Sequence, residues 1–356
     1  MVFLDLDKLL AGGKVPDFLL RKGIRRLIKK RVKKQNKLSV EERFEYLNHF
    51  INELKKQPIA VETEAANEQH YELPPQFFEK ILGRNLKYSC SLWSNNFSYK
   101  KLKKQSDLQQ RLDQAEDEML ELTVKRADIK NGQNILELGS GWGSLSFYLA
   151  KKFPDSRIIS ISNSRLQIDY INQLAAQNRI DNLRAVKADI NNFKTEAKFE
   201  RVVSVEMFEH LRNYQKLMQK ISSFLTEEGK LFVHLFSHKY YPFTYQNNKN
   251  TDWMARYFFS GGTMPSQDLL HYFSGNLSLK KQWAVSGSHY QKTLEVWLEI
   301  MDQKKEEIYP ILESTYGAAE TEKWWNYWRL FFMSSAEFFG YNDGDDWFIS
   351  HYLFQK

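Results

Sequence analysis

The segment VEMFEHL, residues 205–211, places two carboxylates and an imidazole within five residues of one another. A carboxylate attracts a cation such as a protonated amine, and an imidazole beside it can take up the proton near neutral pH. If a helix begins in this segment, Glu206, Glu209 and His210 stand at positions i, i+3 and i+4 and share one face. The spacing then predicts an acid–base site. The structural alternative is a helix cap at Glu206 with an ordinary core histidine at His210.

Glycine recurs at every second position at the end of ILELGSGWG, residues 135–143. A strand, a glycine-rich turn and a helix start together present free backbone N–H groups to a ligand. Gly139, Gly141 and Gly143 depart from the G-x-G-x-x-G spacing of dinucleotide sites, and no acidic residue ends the second apolar run. A phosphate-binding P-loop is excluded because no Gly-Lys-Ser/Thr sequence follows.

S-adenosylmethionine (SAM) is the ligand that suits this turn best. Its methionine and adenosine parts need close approach of the backbone but no cradle for a pyrophosphate group. Glu137 precedes the glycines, so the segment is E-x-G-x-G-x-G, and Asp189 ends a third apolar run, where it could accept a hydrogen bond from the adenine amino group. A glycine-rich turn with only a structural role is the alternative.

These residues require a sheet that brings the ends of several strands side by side. Short apolar runs alternate with stretches long enough for helices, and a clear helical pattern over 214–225 precedes the last run. This alternation predicts an α/β fold with a parallel sheet covered on both faces. The C-terminal DDWFISHYLFQK predicts a final antiparallel strand. The predicted parallel strands are NILEL (134–138), RIISIS (157–162), RAVKAD (184–189), RVVSVE (201–206) and KLFVHLF (230–236).

Helical patterns dominate the N-terminal third of the chain. Residues 14–36 form a basic amphipathic pattern, for which an ordinary packing helix is favoured over a helix on a membrane surface. Ser39 and Glu42 form a capping box that opens a second helix. A loop and a short helix follow over 67–83, and a charged helix over 106–127. The apolar face of the first helix comprises Phe18, Leu19, Ile24, Leu27, Ile28 and Val32.

Composition limits the classes of partner. The 356-residue chain is 42 % hydrophobic and 27 % charged, which is a globular composition, and its net charge of +7 permits a nucleic-acid or membrane partner without requiring one. Lysines concentrate in 22–37 and 100–104 without aromatic neighbours that could stack bases, which disfavours nucleic acid. A single cysteine, Cys90, excludes an internal disulfide and a cysteine zinc site. Because no signal peptide or membrane-spanning stretch is evident, a cytoplasmic location is expected.

Several segments resemble the cyclopropane-fatty-acid-synthase family of SAM-dependent enzymes, over nearly the whole chain. The later segments are most similar to its coclaurine N-methyltransferase branch, which methylates benzylisoquinoline amines. The family resemblance is carried by HYELPPQFFEKILGRNLKYSCSLW, ILELGSGWGSLSFYLAKKF, SISNSRLQIDYI and VEMFEH. The branch resemblance is carried by SHKYYPFTYQ, DWMARYFFSGGTMPS, WAVSGSHYQKTLEVWLEIM and EFFGYNDGDDWFISHYLFQK.

The resemblance implies a class I SAM-dependent methyltransferase fold. Such a fold is Rossmann-like, with a mostly parallel seven-stranded sheet, here with N-terminal helices and a helical lid over the substrate. Residues 1–66 would form the N-terminal helical extension and residues 67–236 the SAM-binding core. Residues 237–290 would form the lid and the sixth strand, with SGG at 260–262 as a hinge, and residues 291–356 an aromatic helical segment and the final strand.

The resemblance also implies ten contacts to SAM. The predicted contacts are Tyr88 and Ser89 at the methionine end, Gly139 and Gly141 in the backbone cradle, Asn163 and Gln167 at the ribose, Asp189 and Ile190 at the adenine, and Glu137 and Val205 completing the site.

In the amine-methylating branch, the resemblance makes Glu209 and His210 the base pair and Glu206 a second carboxylate for the ammonium. The related cyclopropane-forming enzymes usually carry glycine at the position of Glu206, since an alkene needs no carboxylate to attract it. Ser334 or Ser335 stands where those enzymes often carry a cysteine. Both departures favour an N-methyltransferase that acts on a hydrophobic small-molecule amine.

The alternative function is that of a cyclopropane-fatty-acyl-phospholipid synthase or a related lipid methylase. Transient contact of the basic N-terminal helix with an anionic membrane would suit that function. A cluster that resembles the bicarbonate base site of cyclopropane synthases is largely present, with Glu209 among its members. A non-catalytic or RNA-binding member of the fold is a third, disfavoured alternative. The aromatic-rich composition is compatible with a homodimer.

Six residues are predicted to contact the substrate. They are Cys90, His234 and Tyr290 of the cluster that resembles the bicarbonate site, Phe259 of the lid, and Trp328 and Phe332 of the aromatic helix. Most residues of the aromatic helix could equally be core residues.

Overall fold

The computed structural model describes residues 6–61, 73–94, 97, 107–245 and 253–356. The predicted boundary between residues 66 and 67, the first part of the loop predicted to begin at residue 67, and the lysine-rich stretch 100–104 lie outside the described residues.

A seven-stranded sheet forms the centre of the molecule, in the strand order β3-β2-β1-β4-β5-β9-β8. Strands β1 to β5 are parallel, and β9 pairs antiparallel with both β5 and β8. A separate two-stranded hairpin, β6 with β7, stands beside it. The strands are β1 Asn134–Leu138, β2 Arg157–Ser162, β3 Leu183–Lys187, β4 Phe199–Val205, β5 Leu225–His238, β6 Phe243–Thr244, β7 Thr263–Met264, β8 Ser278–Val285 and β9 Trp347–Gln355.

The sequence predicted this sheet closely. The mostly parallel seven-stranded arrangement and the final antiparallel strand are confirmed. The boundary of β5 differs most, since this strand begins at Leu225, before the predicted start at Lys230. The extra residues are LTEEG, and after Leu225 they carry no apolar pattern that would reveal a strand.

Twelve α-helices surround the sheet in the described part of the chain. The predicted capping box opens α3, where the Ser39 hydroxyl accepts from the Glu42 N–H group. The helices are α1 Leu6–Ala11, α2 Asp17–Gln35, α3 Val40–Lys56, α4 Pro75–Ile81, α5 Leu108–Ala127, α6 Ser144–Lys152, α7 Arg165–Gln177, α8 Tyr214–Phe224, α9 Trp253–Tyr257, α10 Gly287–Gln303, α11 Lys305–Tyr316 and α12 Thr321–Phe339. Short 3₁₀ helices span Phe208–His210, Leu269–Asn276 and Tyr341–Gly344.

The sheet separates two apolar layers, because successive side chains of a strand point to opposite faces. Leu231 and Val233 of β5 pack with α3 and α8 on one face. Phe232, which lies between them, packs with α6 and α7 on the other face. A third cluster, rich in aromatic residues, joins α4 to α10, α11 and α12. The functional surface must therefore lie at the ends of the strands, where neither layer covers the sheet.

The basic helix α2 docks against the C-terminal helices largely through ion pairs. Both amines of the Arg21 guanidinium contact Glu295 of α10, at 2.5 and 2.8 Å, and one also contacts Glu337 of α12 at 3.0 Å. Of the predicted apolar face, Ile28 is buried, whereas Phe18 and Leu27 are 68 % and 69 % exposed. The expectation of one packed apolar face is thus wrong for part of this helix. No helix in the described residues is long and apolar enough to cross a membrane.

Replacing Arg21 by methionine should lower the free energy of unfolding by about 2–4 kcal/mol, because buried Glu295 loses its counter-charge, whereas Glu337 keeps Arg25. Thermal or urea unfolding measures this loss. Lys22→Met, on the exposed side of the same helix, is the matched control and should change stability by less than about 0.5 kcal/mol. An Arg21→Met protein as stable as the wild type would contradict docking by these ion pairs.

Candidate functional site

A cavity of about 160 Å³ opens at the carboxyl ends of β1 to β4. Ligands of open α/β sheets bind at this edge, where the strand order reverses. All ten residues predicted to contact SAM line the cavity: Tyr88, Ser89, Glu137, Gly139, Gly141, Asn163, Gln167, Asp189, Ile190 and Val205.

The glycine-rich turn reaches the cavity through backbone conformations that other residues adopt only with strain. Gly139 has φ +85°, and a Cβ atom there would lie 2.8 Å from the Met207 side chain. Gly141 has φ +51°, and a Cβ atom there would enter open space on the cavity side. The N–H groups of Gly139 and Ser140 donate to the carbonyl of Ile161, at 3.0 and 3.1 Å, which ties the turn to β2.

Polar side chains of the cavity fit SAM in different ways. The Gln167 Oε1 atom accepts from the Ser162 hydroxyl at 2.8 Å, while its buried Nε2 atom has no hydrogen-bond partner in the described structure. This orphaned donor suits a ribose hydroxyl. Glu137 is already engaged, since its carboxylate accepts from the hydroxyls of Ser146 and Ser160, and burial raises its pKa to about 7. Glu137 therefore ties β1 to β2 and α6, and its contact with SAM stays a prediction.

A second, larger cavity of about 790 Å³ adjoins the first. Tyr88, Glu206 and His210 line both cavities, and among the described residues they are the ones that the two linings share. A ligand group in one cavity can therefore approach a ligand group in the other at these residues. The walls of the second cavity are mostly apolar, with aromatic and aliphatic side chains, and helices α1 and α2 form part of its boundary. Its aromatic lining includes Phe236, Tyr245, Trp253, Phe259, Tyr290 and Trp297.

The Glu206 carboxylate is held by donors from three parts of the chain. Its Oε1 atom accepts from the Cys90 N–H group at 2.9 Å and lies 3.2 Å from His234 Nε2. Its Oε2 atom accepts from the Tyr290 hydroxyl at 2.6 Å. Burial raises the pKa of Glu206, whereas the charge of Lys87 and these hydrogen bonds lower it.

The backbone at Glu206 is strained. Its φ of +46° lies in the left-handed region, which glycine adopts freely and other residues adopt at a cost of about 1–3 kcal/mol. Glycine at this position would therefore relieve the backbone. The glutamate instead persists where its carboxylate is fully bonded, and such strained residues cluster at functional sites.

The expectation that Glu206, Glu209 and His210 share one helical face is wrong. Glu206 lies in the strained turn after β4, and only a short 3₁₀ helix, Phe208–His210, follows. Glu206 and His210 face the cavities, whereas Glu209 is not among the residues that line them. One oxygen of buried Glu209 accepts from the Phe236 N–H group at 2.7 Å, and burial and the neighbouring Glu206 raise its pKa well above the usual carboxyl range.

The residues predicted to contact substrate divide into three groups. Phe259 and Tyr290 line the larger cavity. Cys90 and His234 are fully buried behind Glu206 and contact its carboxylate. Trp328 and Phe332 are fully buried in the aromatic core and do not line the cavity, as the core interpretation of the aromatic helix expected. The helix period alone does not tell which of its faces borders a cavity.

Two polar features of the site were not predicted. Lys87 is buried, and its ammonium donates to the Ser89 hydroxyl at 2.5 Å and to the Cys90 carbonyl at 2.6 Å. These two bonds stabilise residues 87–90, in which the Cys90 N–H group donates to Glu206. Arg256 pairs with Asp7 of α1 at 2.5 Å on the wall of the larger cavity. The position of Lys87 directly before the predicted contact Tyr88 was the available signal.

A family model described as mycolic acid cyclopropane synthetase matches residues 60–346, which is most of the chain. The (S)-coclaurine N-methyltransferase of Thalictrum flavum subsp. glaucum is 36 % identical over 359 residues, covering 100 % of this chain and 96 % of that relative. The (S)-coclaurine N-methyltransferase of Papaver somniferum is 35 % identical over 347 residues, covering 97 % of this chain and 95 % of that relative. The resemblance predicted from the sequence is confirmed.

A solved structure of coclaurine N-methyltransferase bound to N-methylheliamine and SAH matches the fold with a TM-score of 0.92. The two chains are 32 % identical, and the match covers 100 % of each. SAH, S-adenosylhomocysteine, is what SAM becomes when its methyl group has left. The predicted class I fold, the SAM cofactor and the assignment as a SAM-dependent methyltransferase are confirmed.

Gly139→Ala should raise the dissociation constant for SAH at least tenfold, since the new methyl group displaces Met207 or the turn at the cavity wall. Isothermal titration calorimetry measures the constant. Gly132→Ala is the matched control, because Gly132 has φ +84° but an added Cβ atom would meet nothing within 4 Å. Both variants should lose about 1–2 kcal/mol of stability from strain. Equal SAH affinity of the two variants would contradict the role of Gly139.

Proposed function

We propose that the chain, which belongs to the mycolic acid cyclopropane synthetase family of SAM-dependent enzymes, transfers the methyl group of SAM to the nitrogen of a hydrophobic small-molecule amine. The observation that supports this most is the junction of the two cavities. There the carboxylate of Glu206, whose side chain is 8 % exposed, and the half-buried imidazole of His210 face a space with apolar walls that include several aromatic rings. When bound, SAM supplies an electrophilic methyl group to this junction.

Glu206 would bind the amine as a cation. An alkylamine with a pKa near 10 is mostly protonated at neutral pH, so it enters as an ammonium ion. The carboxylate of Glu206 offers it an opposite charge inside a low-dielectric cavity, where the attraction is strong. The aromatic rings of Phe259 and Tyr290 add favourable contact with both the cation and its hydrophobic substituents.

His210 would take the proton that the amine must lose before its nitrogen can attack. Burial lowers the pKa of His210 to about 4, so its ring is neutral at physiological pH and able to accept. The nearby charge of Glu206 opposes that shift and stabilises the ring once it is protonated. We therefore assign the base pair to Glu206 and His210, and place Glu209 beneath them as a supporting group.

The lipid-modifying alternative is disfavoured by what already occupies the cluster that resembles a bicarbonate site. The N–H group of Cys90, the ring of His234 and the hydroxyl of Tyr290 all contact the Glu206 carboxylate. Three of the groups that would hold a bicarbonate ion are thus engaged by a side chain of the protein itself. The feature that favours a lipid substrate is the exposure of Phe18 and Leu27 on the basic helix α2.

Turnover of SAM to S-adenosylhomocysteine on two substrate sets tests the proposal. One set contains isoquinoline and aryl-alkyl amines, and the other contains vesicles of cis-unsaturated phospholipid. We expect turnover on amines only, and a loss of about 100-fold or more in Glu206→Gln and in His210→Asn, the scale of a lost general base. Glu227→Gln, whose side chain is 88 % exposed, is the control and should match the wild type.

Turnover on vesicles alone would refute an amine substrate and support the lipid-modifying alternative. Full amine turnover in both Glu206→Gln and His210→Asn would leave the reaction class in place but refute the assigned base pair.

The pH dependence provides a separate prediction. Because burial raises the pKa of Glu206, kcat/KM should fall as the pH drops through a value above 4.5, where Glu206 gains a proton and no longer attracts the ammonium. Stopped assays with two amines of different pKa should show the same acid limb, since it belongs to the enzyme. An acid limb that moves with the pKa of the amine, and persists in Glu206→Gln, would contradict this assignment.

A further inference from the structure

A chain of hydrogen bonds leads away from Glu206 and ends at a half-buried arginine. Nε2 of His234 lies 3.2 Å from Glu206 Oε1, and Nδ1 of His234 lies 3.0 Å from Nε2 of His351. Nδ1 of His351 lies 2.8 Å from Nη1 of Arg126. Both imidazole rings are fully buried, so every ring nitrogen in the chain has its partner within the protein.

Arg126 determines which atom donates in each hydrogen bond of this series, because a guanidinium only donates hydrogen bonds. Nδ1 of His351 must then accept, which leaves the proton of the neutral ring on Nε2. That proton is donated to Nδ1 of His234, so His234 also carries its proton on Nε2. His234 consequently donates to Glu206, and one arginine selects the tautomer of two rings.

Neither histidine of this hydrogen-bond chain has a free nitrogen for an additional proton. A second proton on His351 would set an N–H group against the Arg126 donor, and one on His234 would set it against the N–H group of His351. Burial and nearby positive charges, including Arg126, lower the pKa of both histidines. The proton of the substrate therefore cannot leave through these two histidines, and His210, which lines both cavities, is the group left to take it.

We propose that Arg126 and His351 are positioning residues of the methyl-transfer site, which lock His234 as an Nε2–H donor and so hold Glu206 as a charged carboxylate toward the cavity. This inference rests on the proposed function for the identity of the bound cation. The tautomer assignment itself is independent of the substrate.

Strand pairing fixes the relative positions of the two histidines in the hydrogen-bond chain. His234 on β5 and His351 on β9 are directly opposed in the antiparallel register, and their ring centroids lie 4.6 Å apart. The Arg126 guanidinium, near the end of α5, lies 5.1 Å above the ring of Trp283 on β8. The other titratable or charged groups around Glu206 are Lys87 and Cys90 from the segment after α4, Tyr290 from α10, and Glu209 and His210 from its own turn.

Replacing Arg126 removes the donor that fixes the tautomers of His351 and His234. Without a guanidinium, Nδ1 of His351 can carry the proton, and both rings can reverse. Nε2 of His234 then accepts from a protonated Glu206, which stabilises the uncharged acid. Arg126→Met should for this reason shift the acid limb of kcat/KM upward by about one pH unit, or about a tenfold loss of rate below that limb. Arg126→Lys, which also only donates, should restore the wild-type limb.

Two-bond ¹H–¹⁵N NMR of the imidazole rings, recorded on the full chain bound to S-adenosylhomocysteine, tests the tautomers without any amine. His234→Gln and His351→Gln identify the two rings by the signals they remove. We expect a proton on Nε2 and a bare Nδ1 for both rings in the wild type and in Arg126→Lys, and a changed pattern in Arg126→Met. Lys125→Met, an exposed neighbour on α5, is the control and should leave the spectrum and pH profile unchanged.

A proton on Nδ1 of either ring in the wild type would overturn the inference, as would an unchanged spectrum in a folded Arg126→Met protein. An unchanged acid limb in Arg126→Met would also overturn it. If no amine is turned over at all, the proposed function fails, and the NMR result alone decides whether the hydrogen-bond chain is set as inferred.

Discussion

The burial of one carboxylate organises this molecule. A charged group cut off from water is stable only where donors replace the water that it lost. Glu206 receives those donors from the segment after α4, from β5 and from α10, through Cys90, His234 and Tyr290. The central sheet, the N-terminal half and the C-terminal helices must therefore all be in place before this group is satisfied.

The same residue shows how the sheet supports a strained backbone. Glu206 has the left-handed conformation that glycine adopts freely, yet its N–H group donates to the carbonyl of His234 at 2.8 Å. The pairing of β4 with β5 continues up to this point, so strand hydrogen bonds hold the turn against its strain. A strained residue persists where the surrounding structure over-determines its conformation.

The two cavities differ in character and meet at one junction. Small residues and strand ends form the cofactor cavity, as in other α/β folds that bind ligands at the carboxyl edge of a sheet. Apolar side chains from the N-terminal helices and from the late helices, several of them aromatic, line the larger cavity, and the ion pair of Asp7 on α1 with Arg256 lies on its wall. Only Tyr88, Glu206 and His210 belong to both linings among the described residues. The proposed acid–base chemistry would take place at this one point of contact.

The sequence by itself determined the strands and the cofactor cavity, because both depend on residues that are neighbours in the sequence. An apolar run forms a strand, and the residues that follow it, such as Gly139 and Asp189, lie at the ligand-binding edge of the sheet. It also predicted Glu206 and His210 as reacting groups from their types and spacing. Only the tertiary structure decided that no helix aligns the three acid–base residues, and that Trp328 belongs to the core. It alone revealed the contact between Arg126 and His351, which lie 225 positions apart in the sequence. Such pairs are set by strand register and helix docking, and nothing in the neighbouring sequence encodes them.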